Sequence, residues 1–285
     1  MSEPTPSTWR ARLFGRELRK LRRGKGFKAD DIAASIGRAH STVIRAESGE
    51  SPAKLHELEQ ILDMCGVTDR AIRAEYHQRA QEVLHKGWWN RHAKNPDFRD
   101  YLWAEDNAHQ IRDFQLASIP ELLHTQAYTE MLAKSGPLSH KYGSIANLRE
   151  VHRSRTEVFW RKDPPQTKFV IPETVFNQRI PEVSTEIFRE QFKHLRMLTQ
   201  YEDVQIRVLP TESMIHNLLG VNASFTILDL KRWPAFVYFE TPAGAVIAEE
   251  TYTARHMKTF DRIWHEALDD EETDNYLVRI EKAMS

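Results

Sequence analysis

Residues 1–45 hold eleven Lys and Arg, among them Arg22, Lys25, Lys28, Arg38 and Arg45, against four acids, Glu3, Glu17, Asp30 and Asp31. This head therefore carries +7, and the remaining 29 basic and 37 acidic groups leave −8 on residues 46–285. Cationic side chains concentrated in this way neutralise phosphate oxygens, and an Arg fork can also grip the O6 and N7 edge of a guanine. The chemistry to expect is recognition of a polyanion; charge alone also permits an Arg-rich solvated helix.

Other chemistries find little footing. A single Cys excludes an internal disulfide and any thiolate cluster for zinc or iron–sulfur. No HExxH, GxSxG, P-loop or GxGxxG pattern occurs, and the 13 His are scattered, with no His or Cys partner at metal-ligand spacing. The chain is read as not an enzyme, with no metal and no cofactor. Cys65, beside Met64, reads as core. Apolar runs are far shorter than the ~20 residues needed to span a bilayer, and MSEPTPSTWR lacks the apolar centre of a signal peptide. A cytoplasmic protein without membrane contact is expected. At about 100–200 residues per domain, 285 residues suggest two domains.

The elements that must position the basic residues are helices. Phe14, Leu18 and Leu21, flanked by Trp9 and Leu13, keep helical spacing until Gly24 and Gly26. Ile32, Ala33 and Ile36 form a short run ending at Gly37; Val43, Ile44 and Ala46 form another ending at Gly49. Leu55, Leu58, Ile61 and Leu62 give a fourth helix between Pro52 and Gly66, and Ile72, Tyr76, Ala80 and Val83 a fifth. Short helices with a three-to-four-residue turn between the second and third make a helix-turn-helix layout. In its third helix, helical spacing puts His40, Ser41, Ile44, Arg45 and Ser48 on one side and Val43, Ala46 and Glu47 behind or beside them. Arg45 suits a guanine or a phosphate, Ser41 and Thr42 a phosphate or base edge, and Ile44 a thymine methyl. Glu47 reads as a structural acid paired to an Arg of the first helix.

The run FGRELRKLRRGKGFKADDIAASIGRAHSTVIRAESGE resembles the Cro/repressor-type (XRE) helix-turn-helix family over residues 10–80. Leu18 and Leu21 match its first helix, Ile32-Ala33 its second, Gly37 its turn, and Thr42-Val43 with Arg45-x-Glu47-x-Gly49 its recognition helix. Lys28 and Ala29 stand where that family has Thr and Gln, and Ala39 where it has a capping residue. Arg22, Lys25 and Lys28 are the phosphate-contact candidates. The resemblance implies double-stranded DNA as partner and, with one such domain per chain, a homodimer on half-sites ~34 Å apart.

The expected organisation is an all-α five-helix domain over 1–84, an aromatic linker over 85–104 and a mixed-sheet α/β or α+β domain over 105–285. In the linker, Gly87 and Pro96 read as breakers. Trp88 and Trp89 read as packing between domains, with base stacking as the alternative. Beyond it, Ile111–Leu116, Phe169–Ile171, Val204–Val208, Ala223–Ile227 and Phe236–Phe239 read as strands. Stripes through Leu148/Arg155, Phe188/Leu195, Phe260/Trp264 and Leu277/Met284 read as helices. IPELLHTQAY at 119–128 is similar to the IPGLLQTxxY signature of an antitoxin-like domain on actinobacterial XRE regulators. Lys86–Trp89, VIPETVF, Arg189–Leu195, Val208–Pro210 and Phe236–Glu240 match that domain in order. Glu121, His124 and Thr156 depart from it. The likeness implies a transcriptional regulator, read here as a repressor, linked to a small acidic partner protein or a small-molecule effector, with Glu173 and Glu240 as candidate binding residues. An antitoxin-like protein that sequesters a small partner is the alternative. A weaker likeness, to half of a phospholipase-D-type phosphodiesterase, turns on His216, but His216-Asn-Leu lacks the Lys of His-x-Lys.

Overall fold

A computed structural model describes residues 7–93, 95–135, 142–178, 184–213, 223–241, 244–248 and 250–283. The chain divides into two compact units, Met1–Asp100 and Tyr101–Ser285.

The first unit holds the five expected helices: α1 Trp9–Gly24, α2 Ala29–Ser35, α3 His40–Ser48, α4 Leu55–Met64 and α5 Arg70–Leu84. The Thr8 hydroxyl caps α1 by accepting from the Ala11 amide. The apolar stripes read from spacing turn inward: Leu18, Ile32, Val43, Leu58 and Leu62 are all nearly or fully buried, and Ile32, Val43 and Ile61 pack in one core cluster. Cys65 is part of this core, and burial pushes its thiol up. Residues 85–104 are not extended chain. They contain α6 Trp89–His92 and most of α7 Pro96–Asn107. Pro96 opens α7 instead of breaking a helix, because the Asn95 side chain accepts from the Asp97 and Phe98 amides and a first-turn Pro has no N–H to leave unpaired. Trp89 is buried against His85. The Asp100 carboxylate receives the Trp9 amide and the Arg10 guanidinium, tying this segment back to α1.

Two glycines set how α1 meets α3. A methyl group on Gly15 would lie 2.5 Å from the Ala46 carbonyl oxygen, and one on Gly49 would lie 2.5 Å from the Arg12 amide nitrogen. Gly49 also turns the chain at φ 80°, a left-handed conformation that stops α3.

The second unit is a six-stranded mixed sheet with helices: β1 Ala108–Phe114, β2 Gln166–Pro172, β3 Val204–Leu209, β4 Phe225–Leu230, β5 Phe236–Thr241 and β6 Gly244–Ile247, ordered β3-β2-β1-β4-β5-β6. β1 pairs in parallel with β2, and β2 with β3; β4, β5 and β6 continue antiparallel from the other edge of β1. Its helices are α8 Gln126–Ser135, α9 Ile145–Thr156, α10 Glu173–Phe176, α11 Thr185–Leu198, α12 Glu250–Glu266 and α13 Asp270–Ala283. α12 lays Phe260, Ile263 and Trp264 on Phe114, Val170, Phe225 and Val237, which closes one face of the sheet. α8 and the four-residue β6 have no counterpart among the elements read from the sequence.

Gly15→Ala should therefore destabilise the first unit by about 1–3 kcal/mol, the usual penalty of overpacking. Gly24→Ala, where a methyl group meets nothing within 4 Å, should be nearly neutral. Urea unfolding followed by circular dichroism compares the two.

Candidate nucleic-acid interface

α3 is amphipathic in the sense the interface needs. Val43, Ala46 and Glu47 are buried, while His40, Ser41, Ile44, Arg45 and Ser48 are exposed. Ile44 is 43% exposed, which leaves it open to an apolar contact. The Ser48 hydroxyl donates to the Arg45 carbonyl, so the backbone engages it. Thr42 is half-buried behind this face. Among the described residues Arg45 forms no ion pair, so its guanidinium extends from the helix uncommitted.

The position of α3 is held by a buried ion pair. Arg22 donates through Nε and Nη2 to the two Glu47 oxygens at 2.5 and 2.8 Å, and through Nη1 to the Phe27 carbonyl at 2.7 Å. Glu47 holds the Arg22 guanidinium above its usual range, against the effect of burial. Glu47 thus has the structural role read from the sequence. Arg22 does not have the phosphate-contact role expected of it. It is 6% exposed, and its donors are spent on α3 and the Phe27 carbonyl. Lys25 and Lys28 are exposed.

Two helix starts differ electrostatically. At α2, the Asp31 carboxylate accepts from the Lys28 amide at 2.6 Å, and Asp30 takes the His40 ring nitrogen at 2.7 Å. Carboxylates already occupy the positive end of this helix, and an incoming phosphate would meet like charge. α3 starts at Ala39 with no side-chain cap, so its leading amides keep the donor character that suits a phosphate. His40 is turned to Asp30 in this arrangement.

The two C-terminal candidates lie in different surroundings. Glu173, at the start of α10, accepts from the Thr211 amide and hydroxyl at 3.1 and 3.0 Å, tying α10 to the segment after β3. Glu240, at the end of β5, is exposed and lines a cavity. His216 lies outside the described residues. The feature missed from the sequence is a buried charge network. Arg155 of α9, 6% exposed, donates to Glu105 at 2.7 and 2.9 Å, to Glu121 at 2.5 Å and to the Tyr101 hydroxyl at 3.1 Å. Nearby Asp113 of β1 is buried, which pushes its carboxyl up to about 7 despite hydrogen bonds from Gln115 and Thr226 and the field of Arg155. The sequence signal was present: Arg155 shares the inward stripe of Leu148, and Asp113 alternates with Ile111.

The first unit is that of a helix-turn-helix protein, with a recognition-type helix exposed in front of a packed core. A family model described as "Helix-turn-helix domain" matches residues 13–75, and one described as "Domain of unknown function (DUF5753)" matches residues 98–279. The chain belongs to the DUF5753 family, and its helix-turn-helix domain is that of a DNA-binding regulator. No curated protein and no solved structure matches it. No described helix is long and apolar enough to cross a membrane.

Arg22→Ala leaves the buried Glu47 with only the exposed Arg19 at 4.0 Å and should destabilise the first unit by about 2–4 kcal/mol, while Arg45→Ala should leave the melting temperature unchanged. Asp113→Asn supplies a pH test. A carboxyl whose folded value is raised opposes folding as pH climbs from its ordinary value toward 7, and most strongly above. The Asn variant should melt higher than the parent at pH 8, and the gain should vanish by about pH 4. Differential scanning calorimetry across that range checks it.

Proposed function

We propose that the chain is a sequence-specific transcriptional repressor of XRE type. It binds double-stranded DNA as a homodimer with α3 in the major groove, and its C-terminal domain takes a small acidic partner protein or a small-molecule effector. It works by binding, with no reaction of its own. The observation that carries the DNA reading is the pairing of a locked and an open Arg: Arg22 fixes α3 through Glu47, and Arg45 extends from α3 with no ion pair among the described residues. Lys25 and Lys28 supply charge for the backbone.

The test is fluorescence anisotropy of the full chain on its own upstream DNA across a salt series. Arg45→Ala should lose about 1–3 kcal/mol of discrimination for the bound site. Lys28→Ala should weaken all sequences alike and lower the salt slope by about one. Absent or sequence-blind binding by the parent chain would overturn the reading.

A second reading, an antitoxin-like protein that sequesters a small acidic partner, is favoured by α12. Arg255, Lys258 and Arg262 stand exposed at helical spacing around a shallow depression with Ala254 and Thr259, a basic strip on the otherwise acidic half of the chain. This reading predicts a salt-sensitive one-to-one complex with such a protein that Arg255→Glu with Lys258→Glu abolishes in pull-down.

A further inference from the structure

The sheet face that looks away from α12 changes character along its length. Ile111, Leu228 and Phe236 are in register across β1, β4 and β5, and all three are fully buried. The next row on that face is Asp113, Thr226 and Tyr238, also in register and also buried. Alternation places Gln115, Ser224 and Glu240 beyond it. An apolar sheet face thus becomes polar over two consecutive rows, where further aliphatic residues would be the stable choice.

These two rows form one wall of a cavity of about 220 Å³, and Tyr101 of α7, Glu121 and Arg155 contribute to the other. Among the described residues of its lining, one guanidinium, that of Arg155, stands with three carboxyl groups, those of Asp113, Glu121 and Glu240. Arg155, the cation in the wall, is already matched by Glu105 and Glu121. Asp113 is 3% exposed, and among the described residues no Lys or Arg comes within ion-pair distance of it. Its hydrogen-bond donors are neutral, with the Gln115 amide at 2.6 Å. Glu240 adds a carboxylate at the exposed rim. The Tyr101 and Tyr238 rings are stacked with centroids 4.2 Å apart, and the Arg155 guanidinium lies over the Tyr101 ring at 5.4 Å, so Tyr238 supplies the aromatic surface not already matched by a cation. A buried carboxylate lacking a cation, beside stacked rings, matches a positively charged organic group in both its ionic and its cation–π contacts.

We propose that this cavity binds a small protonated amine on a flat or ring-shaped body, with Asp113 as counter-ion and Tyr238 against the body. This gives the effector part of the functional reading a site and a ligand chemistry. It stands apart from the DNA reading, because its test contains no DNA.

Isothermal titration calorimetry of the full chain with phenethylamine, phenethyl alcohol and phenylacetate tests it. Saturable binding is expected for the amine alone. Asp113→Asn should weaken it at least about tenfold, since the shape is kept and only the charge is lost. Glu240→Gln, at the exposed rim, should weaken it roughly two- to fivefold. Because Asp113→Asn is expected to gain stability at pH 8, lost binding with a raised melting temperature separates a lost ligand contact from a damaged fold. Equal binding of the alcohol or the acid, unchanged amine affinity in Asp113→Asn, or no saturable heat with millimolar amine would each overturn the proposal.

Discussion

The helix-turn-helix unit depends on a backbone-to-backbone approach. α1 and α3 come so close at Gly15 and Gly49 that neither position has room for a methyl group. Contact at that distance fixes the spacing and the rotation of α3 together, because backbone atoms cannot yield as the end of a side chain can. The Arg22–Glu47 fork then acts on a geometry already set, and the exposed row from His40 to Ser48 follows from it. What α3 presents to its surroundings is decided on its hidden side.

Two of the buried charge arrangements differ in kind. In the first, each partner of the Arg22–Glu47 pair satisfies the other, and the pair fastens two helices. In the second, Arg155 gathers Glu105, Glu121 and Tyr101 around one guanidinium, and Asp113 stays close by without a cation of its own. The first arrangement is complete in itself. The second leaves a buried carboxyl whose charged form burial disfavours.

Much of the fold was legible in the residues, for identifiable reasons. α1 to α5 follow apolar spacings ended by glycines, β2 to β5 follow alternation, and Ser184 caps α11 as its position before Phe188 suggests. α7 was hidden because Pro96 signals a break unless the preceding Asn95 is seen to cap. β6 is four residues long, too short for alternation to register. The candidate site was legible as a surface and less so as a set of partners. The outward face of α3 follows from 3.6-residue periodicity, whereas nothing in the spelling of Arg22 distinguishes a guanidinium facing phosphate from one facing Glu47. Asp113 and Tyr238 come to one row only through strand register on either side of Thr226, and register between segments more than a hundred residues apart leaves no local trace.

The strand order also has a temporal side. The first unit is built from neighbouring helices and is complete in sequence by Asp100. β1, at the centre of the sheet, must wait for β4, since Phe114 pairs with Phe225. At a synthesis rate of about 5–20 residues per second, that wait is roughly 5–25 s. Throughout it the inner strand has neither its antiparallel neighbour nor the helix α12 that will cover it, while the local contacts of the first unit can already form. The contacts of the helix-turn-helix head can therefore close on the ribosome before the sheet of the second unit is complete.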